Sequence, residues 1–187
     1  AQDMLVLALS TGAHVMSASG LRYAEELEAA LEEIADEEIV HANLIGPGEL
    51  FFYGIHLTDV LNAAMGPGVE AASNVGEVEF DLLSVTFGDG RSASLQLLRD
   101  PAPRHQGTFF TVDGSARFEI HAYTFYMRMM RQFLEMIETG RPAVAYEDML
   151  EALLVLLAAD RSQKQNGRAV RLAEIRSERE SLEPTIH

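Results

Sequence analysis

Between Leu50 and Ala64 the apolar positions recur at helical spacing: Tyr53, Leu57, Val60, Leu61 and Ala64 share one face, and Phe52, His56, Asp59 and Ala63 form the stripe beside it. Gly46-Pro47-Gly48 stands before this run and Met65-Gly66-Pro67 closes it, so a helix is predicted between two turns. Upstream, the apolar run from Met4 to Leu9, followed by Ser10-Thr11-Gly12, predicts a helix stopped by glycine, and Ala13 to Ser17 a short strand. From Arg22 to Ala35 an acidic stretch carries Leu27, Leu31 and Ile34 on one side, which predicts an amphipathic helix. Glu38 to Ile45 then reads as a strand.

From Val69 to Ile120 the pattern changes to short runs of Val, Phe, Thr and Ser, separated by Gly88-Asp89-Gly90 and Asp113-Gly114. This predicts an antiparallel sheet in which Phe80–Phe87 and Arg91–Leu98 are the arms of one hairpin. Arg99 to Gly107 reads as a loop, whose Arg104 and His105 either reach an anionic ligand or stay solvated. Tyr126, Met129, Met130, Phe133, Met136 and Ile137 make a helical stripe expected in the core, stopped at Gly140-Arg141-Pro142. Glu147 and Asp148 open another helix, Ala169 to Leu172 is a final strand, and residues 176–187 are a loose tail. The predicted fold class is α+β: a mostly antiparallel open sheet with helices packed on one face.

Composition narrows the function classes. The chain has 187 residues, 48% of them hydrophobic, enough for one domain with a sizeable core. Its formal charge of −15 repels phosphate backbones and anionic membrane surfaces, so neither nucleic acid nor a membrane is an expected partner. No cysteine is present, which excludes disulfides and thiolate metal sites and fits a cytoplasmic protein. The apolar run from Leu150 to Ala159 is far short of the ~20 residues that span a bilayer and reads as a buried helix. The six histidines show no metal-ligand spacing, so no metal is expected. The opening Ala-Gln-Asp-Met lacks the basic region of a signal peptide and reads as a cut or processed end.

The candidate chemistry lies on the predicted central helix. His56 and Asp59 are one turn apart, and an imidazole beside a carboxylate can exchange a proton with an alcohol near neutrality. The alternative is a half-buried structural histidine beside a solvated Asp59.

Tyr53-Gly54-Ile55-His56-Leu57-Thr58-Asp59 resembles the Gly-x-His-x-x-Asp helix of the glucose-fructose oxidoreductase and inositol dehydrogenase family. A second stretch, Phe133 to Pro142, then Glu147-Asp148, Ala159-Asp160-Arg161-Ser162 and Gly167 to Leu172, is similar to that family's closing helices and last strand. The resemblance implies a carboxyl-terminal substrate-binding and oligomerisation domain over residues 36–175, preceded in residues 1–35 by a remnant of a Rossmann-type domain. It implies hydride transfer between NAD or NADP, bound by the full-length protein, and a sugar or cyclitol hydroxyl. His56 is then the catalytic acid/base, and Arg22, Tyr23, Tyr53 and Asp59 are candidates for holding substrate.

The sequence also departs from the family pattern. Where the family places Glu-Lys-Pro, Val15-Met16-Ser17 is followed by Ala18-Ser19-Gly20; the only lysine is Lys164, and Phe52 stands where an aspartate usually precedes the histidine. Ser17 to Tyr23 is similar to branches with a serine-rich segment followed by Leu-Arg-Tyr. No Gly-x-Gly-x-x-Gly is present to admit a pyrophosphate, so this chain alone is expected to bind no dinucleotide. A non-catalytic dimerisation or scaffold domain of the same fold is the rival reading. Strands bearing Phe80, Leu82, Val85, Leu95, Leu97, Phe109 and Val112 read as apolar on both faces, which predicts a homodimer or larger assembly through the sheet.

Overall fold

The computed structural model describes residues 2–182. The chain opens with α1 (Gln2–Thr11), a 3-10 turn at Gly20–Tyr23 and α2 (Glu25–Glu33). Then come β1 (His41–Pro47), α3 (Leu50–Met65), β2 (Val69–Asn74), β3 (Phe80–Phe87), β4 (Ser92–Leu98), β5 (Gln106–Phe110) and β6 (Ser115–Glu119). It closes with α4 (Phe125–Thr139), α5 (Tyr146–Lys164), β7 (Val170–Arg171) and α6 (Leu172–Leu182). The strands form one sheet in the order β6-β5-β1-β4-β3-β2-β7. Neighbours are antiparallel except β1 and β4, which run parallel from His41 beside Ser92 to Pro47 beside Leu98. The parallel pair arises because α3, β2 and β3 carry the chain away from β1 before β4 returns beside it. The fold is thus α+β, with a mostly antiparallel open sheet and helices on one face.

Alternation along the strands assigns the faces. Ala42 and Leu44 of β1, Leu83, Val85 and Phe87 of β3, Ala93, Leu95 and Leu97 of β4, and Phe109 of β5 join one core with Leu57, Val60 and Leu61 of α3 and Val155, Leu156 and Ala159 of α5. α3 ends where predicted, the Gly66 amide donating to the Asn62 carbonyl at 2.8 Å. The opposite sheet face is less apolar than the sequence predicts. Val85, Leu95, Leu97 and Phe109 all belong to the covered side, and Val112 sits in a turn, 81% exposed. The open side carries His41, Asn43, Ser84, Thr86, Ser92 and Ser94, with half-buried Ile45, Phe80, Leu82 and Leu98 toward one end. Four of these polar residues are tied in two pairs across strands, His41 Nδ1 to Ser92 Oγ at 2.8 Å and Asn43 Nδ2 to Ser94 Oγ at 2.9 Å.

Other differences from the sequence reading have a common cause, the limited surface the sheet offers. Residues Ala13 to Ser17 belong to no strand, because no described strand runs beside them to complete a ladder. The stripe on α4 is expected in the core, yet only Phe125 and Met136 are buried while Tyr126, Met130, Phe133 and Ile137 are exposed. With α3 and α5 already on the sheet, α4 reaches that core only through Phe125, and Met136 is buried outside it. Met4, Val6, Leu7 and Leu9 of α1 are likewise exposed. The region expected to be loose begins inside α6; residues 183–187 of it lie outside those described. Among the described residues no helix is long and apolar enough to cross a membrane.

Phe109 is fully buried and stacks on Phe118 with ring centroids 5.5 Å apart. Truncating Phe109 to alanine removes this ring contact and leaves a void, so the unfolding free energy should fall by about 3–5 kcal/mol, read from urea melts of the two proteins.

Candidate active site

The site is assembled on α3. Asp59 is only 4% exposed, and a carboxylate in such a place must find compensating partners. Its Oδ2 accepts from the Ser19 amide at 2.7 Å and its Oδ1 from Arg22 Nη1 at 2.8 Å. Two bonds from one carboxylate therefore fasten the segment around the 3-10 turn to the side of α3. Burial pushes the Asp59 carboxyl up, against the opposing pull of the Arg22 guanidinium and the Ser19 amide.

Held there, Ser19 caps the 3-10 turn, its Oγ accepting from the Leu21 amide at 3.1 Å. The same Oγ lies 2.9 Å from His56 Nδ1. A hydroxyl both donates and accepts, so Ser19 suits either state of that nitrogen. When Nδ1 carries the proton, Ser19 accepts it and Nε2 presents a lone pair; when Nδ1 is bare, Ser19 donates. Burial lowers the His56 pKa, which keeps the ring neutral.

His56 forms part of the wall of a cavity of about 550 Å³, together with Tyr53, Arg104, His105, Tyr123 and Tyr126. His105 arrives from the loop between β4 and β5, its ring centroid 5.7 Å from that of His56 and the planes at 83°. Burial, and the like charge His56 would carry, depress the His105 pKa to about 4. At the mouth, Arg104 Nη1 meets His121 Nδ1, and Glu119 Oε1 lies 3.5 Å from Arg104 and 3.9 Å from His121. A smaller cavity of about 210 Å³ lies against Ser19, His56, Asp59 and Met149.

The structure divides the predicted site residues among different places. His56 and Tyr53 share the cavity. Asp59 and Arg22 pair with each other, so Asp59 is a buried anchor rather than a solvated helix residue. Tyr23 and one side of Arg22 line a separate groove of about 720 Å³ between α2 and α4, where Tyr23 Oη is buried with no partner and burial raises its pKa. Two members of the site are not among the site residues predicted from the sequence. Ser19 lies 37 residues from His56, and His105, in a polar proline-containing loop, is folded inward instead of solvated. Among the described residues no group of three or more His, Cys, Asp or Glu could hold a metal ion.

No family model and no curated protein matches the sequence. Solved structures do. GenD2 from gentamicin A biosynthesis, solved with NAD, superposes with a TM-score of 0.78 at 15% identity over 91% of this chain and 67% of its own. Scyllo-inositol dehydrogenase from Lactobacillus casei, solved with NAD(H) and scyllo-inositol, gives 0.73 at 13% identity over 90% of this chain and 68% of its own. Myo-inositol dehydrogenase from the same organism, with NAD(H) and myo-inositol, gives 0.67 at 14% identity over 84% and 62%. The fold is theirs. This chain spans roughly two thirds of the length of each.

The half-buried His105 imidazole gives stability a definite pH dependence. His105 titrates near pH 4 when folded and near 6.5 when unfolded, so between those values the unfolded chain binds the extra proton. Stability from His105 is complete above about pH 6.5 and is lost as the pH falls toward 4. Urea melts of wild type and His105→Asn should therefore converge on going from about pH 7 to about pH 5, or cross in favour of the variant.

Proposed function

We propose that this chain is the carboxyl-terminal, substrate-binding part of an NAD(P)-dependent oxidoreductase of the glucose-fructose oxidoreductase and inositol dehydrogenase family, acting on a hydroxyl-bearing substrate such as a sugar or cyclitol. The observation that carries this reading is His56 itself, with Nδ1 held by Ser19 while its ring lines a cavity large enough for such a substrate. In oxidation, His56 accepts the hydroxyl proton at Nε2 while Nδ1–H donates to Ser19 Oγ; in reduction the same path runs backwards. Tyr53 at the rim holds substrate. Asp59 and Arg22 act as positioning residues, keeping Ser19 against His56, and Tyr23 extends that segment.

The strand-to-helix glycine among the described residues does not suit a pyrophosphate. Gly48 is the glycine that leads from a strand into a long helix, and the space a Cβ would occupy there lies 2.1 Å from the Tyr53 ring, so no pyrophosphate can approach that backbone. The nucleotide is therefore assigned to a domain beyond these residues, and no step here is routed through it. The nicotinamide nucleotides in the superposing structures support this division, since this chain covers only about two thirds of each of those chains. The exposed apolar faces of α1 and α4 support it too, as surfaces suited to a further domain. A second copy is assigned to the open sheet face, where Ile45, Phe80, Leu82 and Leu98 offer an apolar patch beside the Ser-rich strip. Sedimentation at micromolar concentration should give a dimer or larger; a monomer would count against this assembly.

The rival, a scaffold domain without catalysis, draws support from Ser19 in place of a lysine. His56→Asn distinguishes the two. In a protein that includes the nucleotide-binding part, the proposal predicts a fall in turnover of about 10²-fold with the melting temperature little changed. A destabilised variant with normal turnover would refute the catalytic role.

A further inference from the structure

We propose that His105 is a second substrate-contacting imidazole, donating a hydrogen bond to the hydroxyl adjacent to the one on which His56 acts, so that the cavity selects vicinal diols. The kind of ligand rests on the reading above; the role of His105 rests on its own surroundings. The ring lies in the wall of the same cavity as His56. Its Nε2 is sealed from solvent with no partner, and no described residue hydrogen-bonds the imidazole. The sealed edge lies over Gly46, where a Cβ would come within 3.0 Å of Cδ2 and 3.4 Å of Nε2. Glycine at that position makes the seat.

An unpaired buried N–H costs more than an unpaired lone pair, so the proton of a neutral His105 belongs on Nδ1, the nitrogen not sealed against Gly46. A depressed pKa keeps the ring neutral at physiological pH. His56, with Nδ1–H given to Ser19, offers a lone pair at Nε2. The two rings then present one acceptor and one donor, with centroids 5.7 Å apart. Adjacent hydroxyls of a polyol match this: the first gives its proton to His56 and the second accepts from His105. A ligand with a single hydroxyl satisfies only one ring and leaves the other unpaired.

The test uses this chain with ¹³C-labelled histidine, titrated with myo-inositol, D-glucose and, as a one-hydroxyl control, cyclohexanol. At least one of the polyols should shift the His105 and His56 ring signals together, and cyclohexanol should leave His105 unmoved. His105→Phe, which keeps a ring of similar size, should weaken polyol binding tenfold or more, and His105→Gln, which restores a donor, should recover part of it. Gly46→Ala, which displaces the ring without changing its chemistry, should weaken binding as well and serves if His105→Phe fails to fold. Polyol binding unchanged by these variants overturns the proposal, as does the absence of any polyol-induced shift at His105. The two readings fail separately. Polyol contact at His105 without NAD(P)-dependent turnover in the longer protein would sink the oxidoreductase reading alone, and turnover indifferent to His105→Phe would sink the proposal alone.

Discussion

The Asp59 carboxylate is the constraint on which the site depends. A charge that is 4% exposed is costly to bury, and its two short bonds, to the Ser19 amide and the Arg22 guanidinium, both come from a segment that precedes the sheet in sequence. Leu21 and Ala24 of that segment also join the core shared by α3 and the sheet, and the carboxylate fixes how the segment sits against the helix. Removing either partner would leave an uncompensated buried charge, so the segment and the helix are fixed together. The consequence reaches His56, because the residue whose amide Asp59 grips is the one whose hydroxyl meets Nδ1.

From that anchoring comes a division of labour on one helix. Leu57, Val60 and Leu61 bury against the sheet, Asp59 holds the neighbouring segment, and His56, one turn from Asp59, turns its ring to the cavity. Burial keeps both cavity imidazoles neutral near physiological pH, and that state lets one accept a proton while the other donates a hydrogen bond. The ion pair is thus a positioning device, and the chemistry belongs to histidines that carry no charge of their own at rest.

Much of this architecture is legible in the sequence where the pattern is local. The periodicity of Leu57, Val60 and Leu61 and the Gly66 stop define α3, and alternation along Phe80–Phe87 and Ser92–Leu98 defines the hairpin. His56 stands out by its spacing to Asp59. What is not legible is set by distant packing. The α4 stripe has the period of a core helix, but α3 and α5 already cover the sheet, so the stripe stays exposed. The burial of Asp59 is not legible because its partners lie 37 and 40 residues away. His105 sits among prolines and polar residues that signal a surface loop, and only the bare backbone of Gly46 beneath it explains why the ring turns inward.

The central claim is that Asp59 acts on His56 through Ser19. Imidazole ¹⁵N spectra of His56 read this directly, because the shifts of the two nitrogens report which carries the proton and whether Nδ1 is hydrogen-bonded. In wild type the account predicts an Nδ1 shift characteristic of a hydrogen bond. Ser19→Ala and Asp59→Ala should both move the pair of shifts in the same direction, toward those of an unrestrained imidazole, since each breaks the same link. A normal His56 spectrum in Asp59→Ala, with Ser19→Ala alone perturbed, would contradict the account.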